Sequence, residues 1–247
     1  MSFKDHFSGH ASAYTQYRPH YPPGLFTWLA ALSPTHERAW DCATGNGQAA
    51  VDLARYFDEV VATDASSTQI DNAIAHPQVR YAVAPADAAP VPAHSLDLVT
   101  VAQALHWFDF DAFYAEVRRV LTPGGHLAVW CYGLLWIEPA IDAVLRHFYA
   151  HTIDAYWPAE RRYVEEAYRT IPFPFAEVAA PEFAMNTHWD LTALCNYLRT
   201  WSAVQRFQQK QGHDPVDALE GELRGLWGER TLEREITWPL HIRVGRV

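Results

Sequence analysis

The segment WDCATGNGQA, Trp40 to Ala49, sets a carboxylate, Asp41, just ahead of two closely spaced glycines, Gly45 and Gly47. Small residues let backbone approach a ligand closely, and amides at the start of a following helix can receive it. Such a loop cups a nucleotide-like cofactor. Gly45, Gly47 and Ala50 also satisfy the dinucleotide spacing G-x-G-x-x-G/A, which alone is a weak match. The charge that the loop expects therefore decides the chemistry: an anionic pyrophosphate or a cationic sulfonium.

Asp41 helps to decide. It ends a predicted strand shortly before the loop turns and so faces the cofactor floor. At an effective dielectric near 20, a like-charge contact at about 4 Å costs up to about 4 kcal/mol, so a pyrophosphate is repelled there. A cofactor bearing a sulfonium and an ammonium is attracted. Two further acids suit the same ligand. Asp64 closes the next strand about twenty residues on, where a carboxylate accepts from both hydroxyls of a ribose. Asp87, in APADAAP, follows the third strand and is placed to accept from an adenine amino group. Open α/β sheets bind ligands at the carboxyl ends of their strands, where all three acids fall.

The elements that must hold these acids are legible in the hydrophobic pattern. Strand signals at 38–43, DEVVATD, QVRYAVA, LDLVTVA (96–102) and HLAVWCY alternate with helical stretches at 47–57, 67–76 and beyond Asp109 or Asp111. In the last of these, Phe110, Phe113, Tyr114, Val117, Val120 and Leu121 recur with helical period, and TPGG is expected to stop it. Leu25, Phe26, Leu29 and Leu32 mark an earlier helix, and Ile137, Ile141, Val144, Leu145 and Phe148 a later one. Repeated strand and helix imply a parallel sheet with helices on both faces. After about residue 150 aromatics and prolines crowd together; a strand near 182–189, helices from about 191 and 215, and a last strand, TWPLHIRVGRV, follow. One domain of 1–247 is expected, with an N-terminal lid (1–24), a cofactor-binding core (25–135), a helical and aromatic region holding the sixth strand (136–230), and the last strand (231–247).

Composition narrows the partners. The net charge of −10 argues against a sequence-independent grip on nucleic acid and against anionic membranes. Cys42, Cys131 and Cys195 lie far apart in no ligand spacing, and none of the thirteen histidines forms a credible metal pair, so no metal is expected. No run approaches a membrane span, and a cytoplasmic location is the default.

On these motifs the chain resembles the class I S-adenosylmethionine-dependent methyltransferases. WDCATGNGQ matches their first motif, ATDAS the ribose loop, APADAAPVPAHSLDLVTVAQALHWF the adenine loop and fourth strand, and RVLTPGGHLAVW the fifth. Within the superfamily, AYTQYRPHYP with ALHWFD looks like the trans-aconitate-methyltransferase-like group. The resemblance implies a Rossmann-like doubly wound sheet of seven mostly parallel strands, with an antiparallel last strand and a helical insertion. It implies S-adenosylmethionine as cofactor and a small-molecule methyl acceptor, a carboxylic acid being favoured. Asp41, Ala43 and Gly45 would line the methionine end. Asp64 would hold the ribose, with Ala65 and Gln69 against the adenine and Ala86, Asp87 and Ala88 along its edge. Gln103, Ala104 and His106 would pass beneath the sulfonium, and Tyr14 and Arg18 would form a lid over the cofactor carboxylate. One departure is Ala43, which stands where the family usually has its first glycine; its methyl is expected to narrow the cofactor floor.

For the acceptor, His106 is the candidate base, Trp107, Tyr132 and Trp136 are candidate walls, and Arg161, Arg162, Arg199 or Arg206 could meet a charge. An NAD-linked oxidoreductase and a non-catalytic cofactor-binding protein are the alternatives.

Overall fold

The computed structural model describes residues 19–247. Tyr14, Arg18 and the rest of 1–18 in the expected lid (1–24) lie outside the described residues, and Pro23 and Gly24 of that span belong to the first helix. Helix α1 (Pro23–Leu32) begins with proline at its first position, buries Leu25, Phe26, Leu29 and Ala30, and ends at Ser33 before Pro34. Then come β1 (Arg38–Cys42), α2 (Gln48–Leu53), β2 (Glu59–Asp64), α3 (Ser67–Asp71), β3 (Val79–Val83), β4 (Leu96–Ala102), α4 (Phe110–Val120) and β5 (Leu121–Tyr132). The five strands are parallel and lie in the order β3-β2-β1-β4-β5. Strand order reverses between β1 and β4, so a crevice opens beyond their carboxyl ends.

Alternation along the strands builds two cores. In β5, Ala128, Trp130 and Tyr132 join Leu25, Phe26 and Leu53 on one face. Leu127, Val129 and Cys131 join Phe113, Val117 and Val120 on the other. Every residue of β4 before Ala102 is buried, as its near-continuous apolar run predicts. Asp109 caps α4 by accepting from the Ala112 N–H.

Beyond β5 lie α5 (Pro139–His147), α6 (Arg161–Glu165), the short strands β6 (Ala176–Val178) and β7 (Phe183–Trp189), then α7 (Leu191–Arg199), α8 (Ser202–Gln211), α9 (Pro215–Trp227) and β8 (Arg234–Arg246). β8 is antiparallel to β5, and its other edge carries β7 along its first half and β6 along its end. The strand expected near 182–189 is β7, and the three-residue β6 is a further short edge strand, so the described sheet has eight strands. Residues 179–182 separate β6 from β7, opposite the shorter stretch 241–243 of β8. The helices of this region fall on both sides of β6 and β7.

Three local expectations are corrected. TPGG does not stop α4; the helix ends at Val120 and the TPGG residues enter β5, held by Leu96 pairing with Leu121 and by hydrogen bonds between the 124–125 backbone and Val247. The helices expected at 47–57 and 67–76 are only Gln48–Leu53 and Ser67–Asp71. A separate helix, α8, occupies 202–211. Among the described residues no helix is long and apolar enough to cross a membrane.

Candidate functional site

Asp41 lies on β1, paired in register with Ala62 of β2 and Thr100 of β4, and is 1% exposed. Both its oxygens are engaged: Thr44 Oγ1 donates to one at 2.6 Å and Thr100 Oγ1 to the other at 2.8 Å. The Ala50 N–H, in the first turn of α2, also favours the carboxylate. A seat that a pyrophosphate would use, the free amides of a helix start, is thus already served by an internal anion. Burial pushes the Asp41 pKa up to about 6, with the two threonine hydroxyls partly offsetting it.

The loop above Asp41 turns through left-handed backbone at Ala43 (φ 54°), Gly45 (φ 57°) and Gly47 (φ 87°). A Cβ on Gly47 would collide with the Tyr81 hydroxyl, so only glycine fits there. At Ala43 the cost of replacing glycine lies in the backbone, since its φ is one that residues with a Cβ rarely adopt.

Asp64 ties this loop to the end of β2. Gly45 N–H donates to Asp64 Oδ2 and Ser66 N–H to Oδ1, each at 2.9 Å. Ser66 caps α3 by accepting from the Gln69 N–H, and the buried Gln69 side chain reaches toward Gly45. Ala65 and Ala86 are half-buried nearby in sequence to these strand ends, while Asp87 and Ala88 are exposed on the turn closed by Ala88 N–H to the Pro85 carbonyl. The structure thus couples Asp41 and Asp64 through one loop, and leaves Asp87 on a separate turn after β3.

The end of β4 holds the next group. Gln103 has positive φ (57°), and its side-chain amide imitates a strand residue: Nε2 donates to the Tyr132 carbonyl and Oε1 accepts the Tyr132 N–H. Its polar atoms therefore brace β5. Ala104 is buried at the start of a short 3-10 turn, Leu105–Trp107. Buried His106 makes a 2.8 Å hydrogen bond between Nδ1 and the hydroxyl of fully buried Tyr168, and its ring lies 4.6 Å from that of Trp107. Burial first, and the Arg161 charge second, lower the His106 pKa to about 3, so the imidazole is neutral at physiological pH. Tyr132 is buried beside Gln103. Trp136 is different: its backbone pairs with Thr237, the residue is 56% exposed, and its ring meets no other aromatic ring among the described residues.

Thr44, Thr100 and Tyr168 are the partners that sequence reading missed. Thr44 sits inside the loop motif and could have been suspected as a hydroxyl beside a buried acid; Thr100 and Tyr168 are brought in only by folding. All three cysteines are buried free thiols, and burial raises the pKa of each, that of Cys131 to about 12. Among the described residues no cluster of His, Cys, Asp and Glu could hold a metal.

The methyltransferase-domain family matches residues 40–129, from β1 into β5. A Dictyostelium discoideum protein named as a candidate methyltransferase is 32% identical over 90% of this chain and 86% of its own. A Mycobacterium tuberculosis protein named as an uncharacterized methyltransferase is 37% identical over 53% of this chain and 51% of its own. Among solved structures, a candidate type II methyltransferase from Anaeromyxobacter dehalogenans is 44% identical, with a TM-score of 0.88 over 93% of this chain and 98% of that one. An internal carboxylate at a helix start, which disfavours pyrophosphate, and a methyltransferase relative matched over 90% of this chain set the oxidoreductase alternative aside. The chain belongs to the class I S-adenosylmethionine-dependent methyltransferases of the Rossmann-like superfamily, and it is an enzyme that uses that cofactor.

Proposed function

We propose that this enzyme methylates a carboxylate oxygen of a small organic acid. The state of His106 carries the proposal. It is the imidazole at the carboxyl end of β4, and it is held neutral with a pKa of about 3. So weak a base draws no proton from an alcohol, phenol or ammonium near neutral pH. A carboxylate needs no base. The cofactor supplies an electrophilic methyl: the acceptor oxygen forms the new C–O bond while the C–S electron pair stays with sulfur. Opposite charges are consumed together, so a dry, enclosed cleft favours the step.

The residues divide the remaining work. Asp64 takes the ribose hydroxyls, Ala65 and Gln69 close on the adenine, and Asp87 with Ala86 and Ala88 meets its amino edge. Asp41, Ala43 and Gly45 form the methionine end, where the buried carboxylate supplies the negative potential that a cation seeks. Ala104 and His106 pass beneath the sulfonium. Gln103 is a positioning residue, acting through its two bonds to Tyr132. Trp107 and Tyr132 wall the acceptor, with exposed Trp136 at the outer rim. Tyr14 and Arg18 are assigned to binding the cofactor carboxylate, and 1–247 is read as one domain. The leader AYTQYRPHYP and the ALHWFD stretch support placing the enzyme in the trans-aconitate-methyltransferase-like group. The test is methyl transfer, followed by mass spectrometry, across matched carboxylic acids, phenols and amines. Acids alone should be methylated; turnover confined to phenols or amines would overturn the proposal.

A further inference from the structure

The region after β5 carries a cation that no described carboxylate neutralises. Of the four arginines considered for a charged acceptor, Arg199 is bound by Asp214, Asp217 and Glu220. Arg162 is exposed and lies over Tyr163, and Arg206 donates to the Tyr156 carbonyl. Arg161 is held in another way. Its Nε donates to the Tyr149 hydroxyl at 2.8 Å, and its guanidinium carbon lies 4.5 Å from the Trp157 ring centroid and 5.6 Å from that of Tyr149. Trp201 completes the box, with ring centroids 5.8 Å from Trp157 and 5.9 Å from Tyr149. The Tyr149 hydroxyl donates onward to Glu165, which fixes the phenol that fixes Arg161.

Within this box the two terminal guanidinium nitrogens make no hydrogen bond among the described residues. The buried Trp157 indole N–H likewise has no acceptor. Arg161 is also close enough for its charge to be felt at His106, Cys131, Tyr149 and Tyr168. His106 and Cys131 mark the carboxyl ends of β4 and β5, so the guanidinium stands beside the cleft and not on a remote surface. A planar fork, half withdrawn from water, braced by rings and lacking an anion, matches the geometry of a carboxylate.

Resting on the small-molecule methyltransferase reading above, we propose that Arg161 is the residue that selects the acceptor, its guanidinium fork binding a carboxylate of that molecule, with Tyr149, Trp157 and Trp201 as the frame. The probes are phenylacetate, benzoate and adipate, each paired with its amide and titrated into the full chain saturated with S-adenosylhomocysteine, with tryptophan fluorescence as the readout. Wild type should bind at least one acid about tenfold or more tighter than its amide. Arg161→Gln should abolish that preference while S-adenosylhomocysteine affinity, by calorimetry, stays within about twofold. Arg161→Lys keeps the charge without the fork and should lose about threefold or more; it decides the matter if the glutamine variant does not fold. Wild type with no preference for any acid over its amide would overturn the proposal. So would a glutamine variant, or failing that a lysine variant, with the preference intact. Methylation of amines or phenols but not acids would overturn carboxylate methylation separately, because an anchoring carboxylate is read from the acid and amide pairs alone.

Discussion

Substituting Asp41→Asn should move stability and cofactor affinity in opposite directions. Burial raises the Asp41 pKa from 3.8 to about 6. At about 1.4 kcal/mol per pKa unit, keeping this carboxylate ionised inside the fold costs about 3 kcal/mol. The fold prefers the protonated acid, so that stability is present below the ordinary carboxylate range and is lost as pH rises through about 6. Asparagine has nearly the same shape, and the Thr44 and Thr100 hydroxyls can rotate to suit its amide. Without cofactor, the variant should therefore exceed wild type by about 1–3 kcal/mol near pH 8, with the gap closing toward about pH 4. Loss of a charged partner should weaken S-adenosylmethionine by about 1.5–3 kcal/mol, or roughly ten- to a hundredfold. Urea unfolding at several pH values gives the first quantity and titration calorimetry the second. A variant less stable than wild type at every pH, or one binding the cofactor as tightly, would refute the reasoning.

Two further outcomes follow from backbone and burial. Ala43→Gly should raise stability by about 0.5–1 kcal/mol, because relief of a left-handed alanine (about 1–2 kcal/mol) exceeds the extra freedom of glycine in the unfolded chain; an unchanged or lower melting temperature would count against it. His106 should stay uncharged from about pH 8 to about pH 5, so its Hε1 resonance should not titrate there, and the fold should lose stability as pH falls from 6.5 toward about 3. An NMR midpoint near the ordinary histidine value would contradict the buried pairing with Tyr168.

The cofactor half of the molecule was legible because its signals are local. LDLVTVA is β4 to the residue, and Asp109 caps α4 as its position suggests. Asp41 and Asp64 were readable as acids at strand ends, and the structure puts both at the Gly45 loop. What escaped depends on pairs far apart in the chain. Thr100 reaches Asp41 across 59 positions, and Tyr168 reaches His106 across 62, so neither the raised acid nor the neutral imidazole has a local mark. The strand near 182–189 was legible, whereas the three-residue β6 escaped because it exists only through pairing with the end of β8. TPGG reads as a stop in isolation but becomes strand once Leu96 and Val247 supply partners. Among four arginines the sequence offered no choice; ring geometry and the carboxylates around Arg199 make it.

The acidic cradle at the strand ends is tested most directly by calorimetry of S-adenosylhomocysteine on wild type and on Asp64→Ala. Wild type should bind, and loss of the carboxylate that receives the ribose should weaken binding by at least about tenfold, from charged hydrogen bonds of about 1.5–3 kcal/mol each. Equal affinity in the two proteins would contradict the account.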